Sequence, residues 1–98
     1  MKLIYHPDAE AELVEAVRYY ESRVATLGVR FLREVDGSVA TILDAPKRWR
    51  LIDEGVRIFL MPRFPYAVYY RDYPDRLHLL AFKHHSRHPD YWRYRMPR

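Results

Sequence analysis

The sequence predicts an α+β fold of order β-α-α-β-β-β, in which a helical hairpin packs on one face of a small, mainly antiparallel sheet. Three observations predict it. Apolar residues recur at helical spacing through two consecutive segments before Pro46. Beyond Pro46 the apolar period shortens to about two, the alternation of half-buried strands. The chain has 98 residues, too few for two separately packed cores, so residues 1–98 are expected to form a single domain.

Lys-Leu-Ile-Tyr ahead of His6-Pro7 reads as an opening strand, with Pro7 suited to the first turn of a helix. Ala9, Leu13, Ala16, Val17, Tyr20 and Val24 mark the first helix. Asp8, Glu10, Glu12 and Glu15 complement the positive end of its dipole. Leu27-Gly28 is expected to end that helix, Gly28 taking a left-handed cap, and Leu32, Val35, Val39 and Ile42 continue a second helix to Pro46. Gly37 inside it costs about 1 kcal/mol relative to Ala. Leu13, Val17, Tyr20, Val35, Val39 and Ile42 should form the faces laid on the sheet. Val56–Met61, Tyr66–Asp72 and Arg76–His85 read as three strands, separated by Pro62–Pro65 and by a Tyr73-Pro74-Asp75 turn. The last two should pair as an antiparallel hairpin. The tail from Ser86 is expected to be too polar and too short to support a core and to lie across the sheet.

Composition narrows the function. Hydrophobic residues make up 49% and charged residues 31%, a globular balance that excludes a disordered or fibrous chain. No apolar run approaches the roughly 18 residues of a membrane span, so no membrane partner is expected. The acidic turn after Met1–Pro7 does not read as a secretory signal, and a cytoplasmic location follows as the expectation. With no cysteine, thiol catalysis and cysteine-held clusters are excluded. The net charge of +4 is uneven: residues 1–45 carry −3, residues 46–76 carry +3 and residues 77–98 carry +4. A basic C-terminal half with histidines and aromatics fits an anionic partner, nucleic acid or acidic protein, as well as it fits a solvated tail.

The densest chemistry lies in His-His-Ser-Arg-His-Pro-Asp-Tyr-Trp. His84, His85 and His88 offer imidazoles, Arg87 a bidentate donor, and Tyr91 and Trp92 stacking faces, a set suited to phosphates and unstacked bases. The competing reading has Tyr91 and Trp92 packing the tail onto the sheet. A helical His84/His88 pair would lack a third ligand at motif spacing, so no metal is assigned. Arg57 alternates with Val56 and Ile58 and points to the opposite sheet face, either solvated or placed for an anion. Arg63 sits in a connection. Neither Ser38 nor Ser86 has a nucleophile-elbow context, and the three glycines form no phosphate loop, so no cofactor is implied.

The order of elements, together with AEAEL..A..YYE in the first helix, LG..FL.EVD in the second, RFPYAVYY in the third strand and H..R.PDYW in the tail, resembles the RelE/ParE superfamily of toxins from bacterial type II toxin–antitoxin operons, which includes plasmid stabilisation proteins. The resemblance covers nearly the whole chain. It implies a small growth-inhibiting toxin neutralised by a cognate antitoxin whose C-terminal segment wraps around it. RelE-like members are ribosome-dependent mRNA endonucleases with basic residues on successive strands and an Arg and Tyr in the tail. Carried over, Arg57, Arg87 and Tyr91 match and His84 could move a proton, but Phe59 and Ala67 stand where further basic residues would be. ParE-like members lack that set and poison DNA gyrase. The apolar replacements therefore favour a ParE-like toxin acting on DNA gyrase, with Arg57, Arg63, His84, His85, Arg87 and Tyr91 as the target-binding surface. The alternative is a ribosome-dependent endoribonuclease acting on mRNA through Arg57, His84, Arg87 and Tyr91. A plain nucleic-acid-binding module is the third reading.

Overall fold

A computed structural model of the chain describes residues 1–52 and 54–96. Strand β1 (Lys2–Tyr5) leads into helix α1 (Pro7–Arg23) and helix α2 (Leu27–Asp44). Then come β2 (Arg50–Leu51), β3 (Val56–Leu60), β4 (Tyr66–Asp72) and β5 (Arg76–His84), and a short 3-10 turn over Arg93–Arg95. The five strands form one sheet in the order β1-β5-β4-β3-β2. The first strand runs parallel to β5, and every other neighbouring pair is antiparallel.

The expected α+β plan is the observed one, with one strand more. Arg50 and Leu51 pair with Ile58 and Arg57 at the sheet edge, and two residues are too few to show an alternating pattern. The helices begin and end for local reasons. His6 caps α1, its Nδ1 accepting the Asp8 N–H at 3.1 Å, and Pro7 occupies a position where no N–H is needed. Gly28 does not end α1. That helix closes at Val24, Thr26 takes the left-handed conformation at φ 70°, and Gly28 belongs to the first turn of α2. Its role is close approach: a Cβ there would lie 2.6 Å from the Val17 carbonyl oxygen. Glu21, at the end of α1, accepts the Thr26 and Gly28 N–H groups at 2.8 and 2.9 Å and so supplies α2 with the anionic cap its own first turn lacks.

Both faces of the sheet are packed. On one, Phe31, Val35 and Ile42 of α2 and Ala9 of α1 are fully buried against Val68, Tyr70, Leu77 and Leu79, with Leu13, Val17 and Tyr20 joining them. Burying an aromatic such as Phe31 is worth about 1.5–3 kcal/mol, so this helix–sheet layer is the main source of stability. On the other face the tail folds back and Trp92, fully buried, packs with Val56, Ala67, Tyr69, Leu80 and Ala81. The tail therefore contributes to a core, which its polar composition did not foretell.

One irregularity sets the phase of β5. Tyr69 pairs with Ala81 but Tyr70 pairs with Leu79, so Leu80 is an extra residue opposite β4. Leu77 and Leu79 before this bulge face the helices, as does Phe82 after it, while Leu80 and Ala81 both face the tail.

Candidate functional site

Glu12 organises the region where α1, β5 and the tail meet. Buried Ala9 and Ala16 lie three and four residues from it, so it rides on the helix arc that faces the sheet. The β1 strand covers β5 only as far as Leu79, leaving the remaining edge of β5 with unpaired backbone groups. Glu12 and Arg95 occupy that edge. The Phe82 N–H donates to Glu12 Oε1 at 3.2 Å, and Arg95 Nη1 donates to the Leu80 carbonyl at 3.0 Å. The two side chains also pair with each other, Arg95 Nη1 lying 2.7 Å from Glu12 Oε1 and Nη2 3.3 Å from Oε2. Tyr91 donates its hydroxyl proton to Glu12 Oε2.

Burial acts to lower the pKa of Arg95, but its hydrogen bonds to Glu12 and Tyr94 outweigh that and leave it above its ordinary value. Burial and then the Glu12 hydrogen bond push the Tyr91 hydroxyl up, so at neutral pH it is a proton donor and not a base. Two guanidinium groups, Arg87 at 4.5 Å and Arg95 at 4.9 Å, lie over the Tyr91 ring.

Beside this network a cavity of about 290 Å³ opens between α1 and the end of β5, bounded by Glu12, Tyr20, Tyr66, His84, Ser86 and Arg87 among others. Tyr66 meets the His84 ring edge-on at 5.1 Å. Burial, and then the nearby Tyr20, Glu15 and Glu12, push the Tyr66 hydroxyl up to about 12. The Nδ1 of His84 accepts the Ser86 N–H at 3.0 Å and lies 2.7 Å from the Ser86 hydroxyl, an arrangement that puts the neutral ring's proton on Nε2. His88 Nδ1 accepts the Asp90 N–H in the same way. Residues 85–88 follow turns and not a helix, so His84 and His88 do not share a helix face. Among the described residues no cluster of three metal-ligating side chains occurs.

The six residues named from the sequence fall into four places. His84, Arg87 and Tyr91 gather at the cavity and the Glu12 network. His85, one residue on in β-strand phase, lies on the opposite side of the sheet with Lys83. Arg57 shares the helix-bearing side with Phe59 and Tyr70. It points away from Val56 and Ile58, as alternation required, and its Nη1 donates to the Lys47 and Trp49 carbonyls at 3.0 and 2.9 Å. Its Nε sits 3.5 Å from Asp72, an ion pair without hydrogen-bond geometry. Arg63, at φ 67°, reaches Glu34 at 2.9 Å and ties the β3–β4 connection to α2. Neither arginine joins the cavity.

Sequence reasoning missed Glu12 and Arg95. The signal for Glu12 was present: a carboxylate three residues after Ala9 and four before Ala16 belongs to the inner arc, not merely to the acidic start of the helix. Nothing local marks Arg95 as part of this site, since its Leu80 and Glu12 partners lie 15 and 83 residues away.

No curated protein matches this sequence. A solved structure described as the chromosomal ParDE toxin–antitoxin system from P. aeruginosa shares its fold at a TM-score of 0.76 and 17% identity, the match covering 86% of this chain and 95% of that one. The family of the ParE toxin of the type II toxin–antitoxin system parDE matches residues 3–89, from the first strand through the turns that follow the last, and the chain belongs to that family.

Proposed function

We propose that this protein arrests growth by binding an essential target, DNA gyrase, and that a cognate antitoxin neutralises it. Membership of the ParE family over residues 3–89 is the observation that carries the reading. The residue geometry supports it over RNA cleavage. A ribonuclease needs its proton-transfer group and its phosphate-stabilising cations around one scissile bond. Here Arg57 is engaged by the Lys47 and Trp49 carbonyls and Asp72, away from the cavity that holds His84 and Arg87. Phe59 and Ala67 bring no further charge.

In this reading His84, Arg87 and Tyr91 form the centre of the target-contacting surface, with Arg87 the most exposed cation among them, while Arg57 and Arg63 serve the fold. His85 faces the other side of the sheet and lies outside that centre. Expressed without antitoxin, the protein should provoke a DNA-damage response and filamentation while translated mRNAs stay full length. Arg87→Ala should lower toxicity by degrees, as the loss of one rim contact does. His84→Ala should have a smaller effect. Ribosome-dependent mRNA cleavage by the wild type that vanishes in His84→Ala and Arg87→Ala, each verified as folded, would replace this reading with the endoribonuclease one.

A further inference from the structure

The sheet face that the tail covers only in part carries a second site. Trp92 and its neighbours cover only part of that face. Next to them a cleft of about 620 Å³ is lined by Arg50, Ile58, Leu60, Tyr69, Lys83 and His85, with Trp49 and Ala67 completing its walls. Lys83 is the anomaly. Its residue is 7% exposed, yet the polar contact its Nζ makes is the carbonyl of the adjacent His84 at 3.2 Å, and no carboxylate pairs with it among the described residues. A buried ammonium without a counter-charge is unfavourable unless something else supplies the anion.

The surroundings repeat the sign. Arg50 and His85 are exposed on the rim, and neither has a carboxylate partner among the described residues. The Tyr69 hydroxyl belongs to a residue 6% exposed, stacked at a tilt on Trp92 and without a hydrogen-bond partner among the described residues. It feels the charge of Arg50 and of Asp90, and Asp90 is itself paired with Arg93 at 2.8 Å. Four donor groups thus border a cleft whose lining holds no acid. Around them the floor is apolar: Ile58 is half-buried, Ala67 is buried and Leu60 is 67% exposed.

We infer that this cleft is a docking site for an acidic segment of a partner polypeptide, with Lys83 receiving a buried carboxylate and Ile58 and Leu60 receiving an adjacent apolar side chain. Charge complementarity commits the occupant to an acid. The apolar shelf, and the burial of Tyr69 beneath Trp92 where it presents no free stacking face, favour a polypeptide over a nucleic acid strand. The site lies on the sheet face opposite the His84–Arg87 cavity, and the inference holds whatever target the toxin has.

The test uses the whole chain. A random peptide library displayed on phage is panned on the wild-type protein with counter-selection on Lys83→Met, and the consensus peptide is synthesised with a fluorescent label. The expected consensus places Asp or Glu beside an aliphatic or aromatic residue. Its affinity by fluorescence anisotropy should fall about tenfold or more in Lys83→Met and in Arg50→Ala, and likewise when the acid in the peptide becomes its amide. Arg33→Ala, an exposed cation on α2, should bind it as the wild type does. Because Lys83→Met could disturb the sheet, its thermal unfolding is compared with the wild type, and exposed Arg50 provides a variant that leaves the interior alone. The inference is overturned if no acidic consensus emerges, if the consensus peptide binds both variants with unchanged affinity, or if an oligouridylate displaces it and itself depends on Lys83.

Discussion

A single carboxylate on α1 holds the tail in place. Glu12 accepts from the Phe82 backbone, Tyr91 and Arg95 at once, so deleting it strands a buried guanidinium and an edge N–H together. Breaking a buried ion pair from one side costs roughly 3–5 kcal/mol, and Glu12→Ala should lower the urea unfolding midpoint accordingly, more than Glu12→Gln does. An unchanged midpoint would mean that the tail is held by Trp92 alone. A second residue gives the protein a pH response. His78 stacks near His6 with ring centroids 6.3 Å apart, and burial, then the charges of His6 and Arg76, hold its pKa below the ordinary 6.5. The unfolded chain therefore takes up that proton first as the solution acidifies. The stability linked to His78 is complete above about pH 6.5 and is lost as pH falls through that value toward the folded one. Unfolding midpoints measured at neutral pH and near pH 5 should differ less in His78→Leu than in the wild type.

At the scale of elements, the two helical glycines make opposite predictions. Gly28→Ala would push a methyl against the Val17 carbonyl oxygen at 2.6 Å and Glu21 Cβ at 2.9 Å, and should destabilise by about 1–3 kcal/mol through overpacking of the hairpin. Gly37 has nothing within 4 Å of where its Cβ would be, so Gly37→Ala should stabilise by about 0.5–1 kcal/mol. Chemical unfolding of the two variants reads both signs. This pair also marks what was legible in advance. Helical periodicity located both helices, and Tyr73-Pro74-Asp75 located the β4–β5 turn, closed by the Tyr73 N–H to the Arg76 carbonyl at 2.8 Å. Periodicity is a property of one segment, so it could not separate a glycine that ends a helix from one that lets two helices touch. For the same reason β2 escaped notice, as did the Leu80 bulge, which exists only relative to β4. Of the candidate site, His84, Arg87 and Tyr91 were found by residue type, whereas Glu12 and Lys83 acquire their character from partners and burial that only the folded chain creates.

The described residues form a sheet with two unequal layers, one built by the helical hairpin and one by residues 86–96. Trp92 is the largest fully buried side chain, and its indole N–H donates to the Pro89 carbonyl at 2.7 Å. Trp92→Ala should cost about 3–5 kcal/mol, a core-sized penalty from a residue close to the chain end. If differential scanning calorimetry shows the variant melting with the wild type, the tail is an appendage and not a layer. The net charge follows the same division: the helical half carries −3 and residues 46–98 carry +7, so the cationic surface is built chiefly by the sheet and tail. Partners that approach from the sheet and tail side meet a positive field, which speeds encounter with an acidic surface and leaves apolar contact to set the lifetime.

The extra residue at Leu80 has a consequence for how this chain is compared with others. Up to Leu79 the odd-numbered positions of β5 face the helices, and from Phe82 the even-numbered ones do. Take that residue out and plain alternation from Leu79 would still leave Phe82 and His84 on the hairpin side and Lys83 and His85 on the tail's side, so the extra residue shifts the count along the strand and not the facing. A relative that lacks the insertion would present the same His-His pair to the same two surfaces, one position earlier in its strand. A comparison run without a gap through this strand would set each residue after Leu80 against one of opposite facing, so a gap of one position, easily dismissed as noise, is the informative character in the comparison.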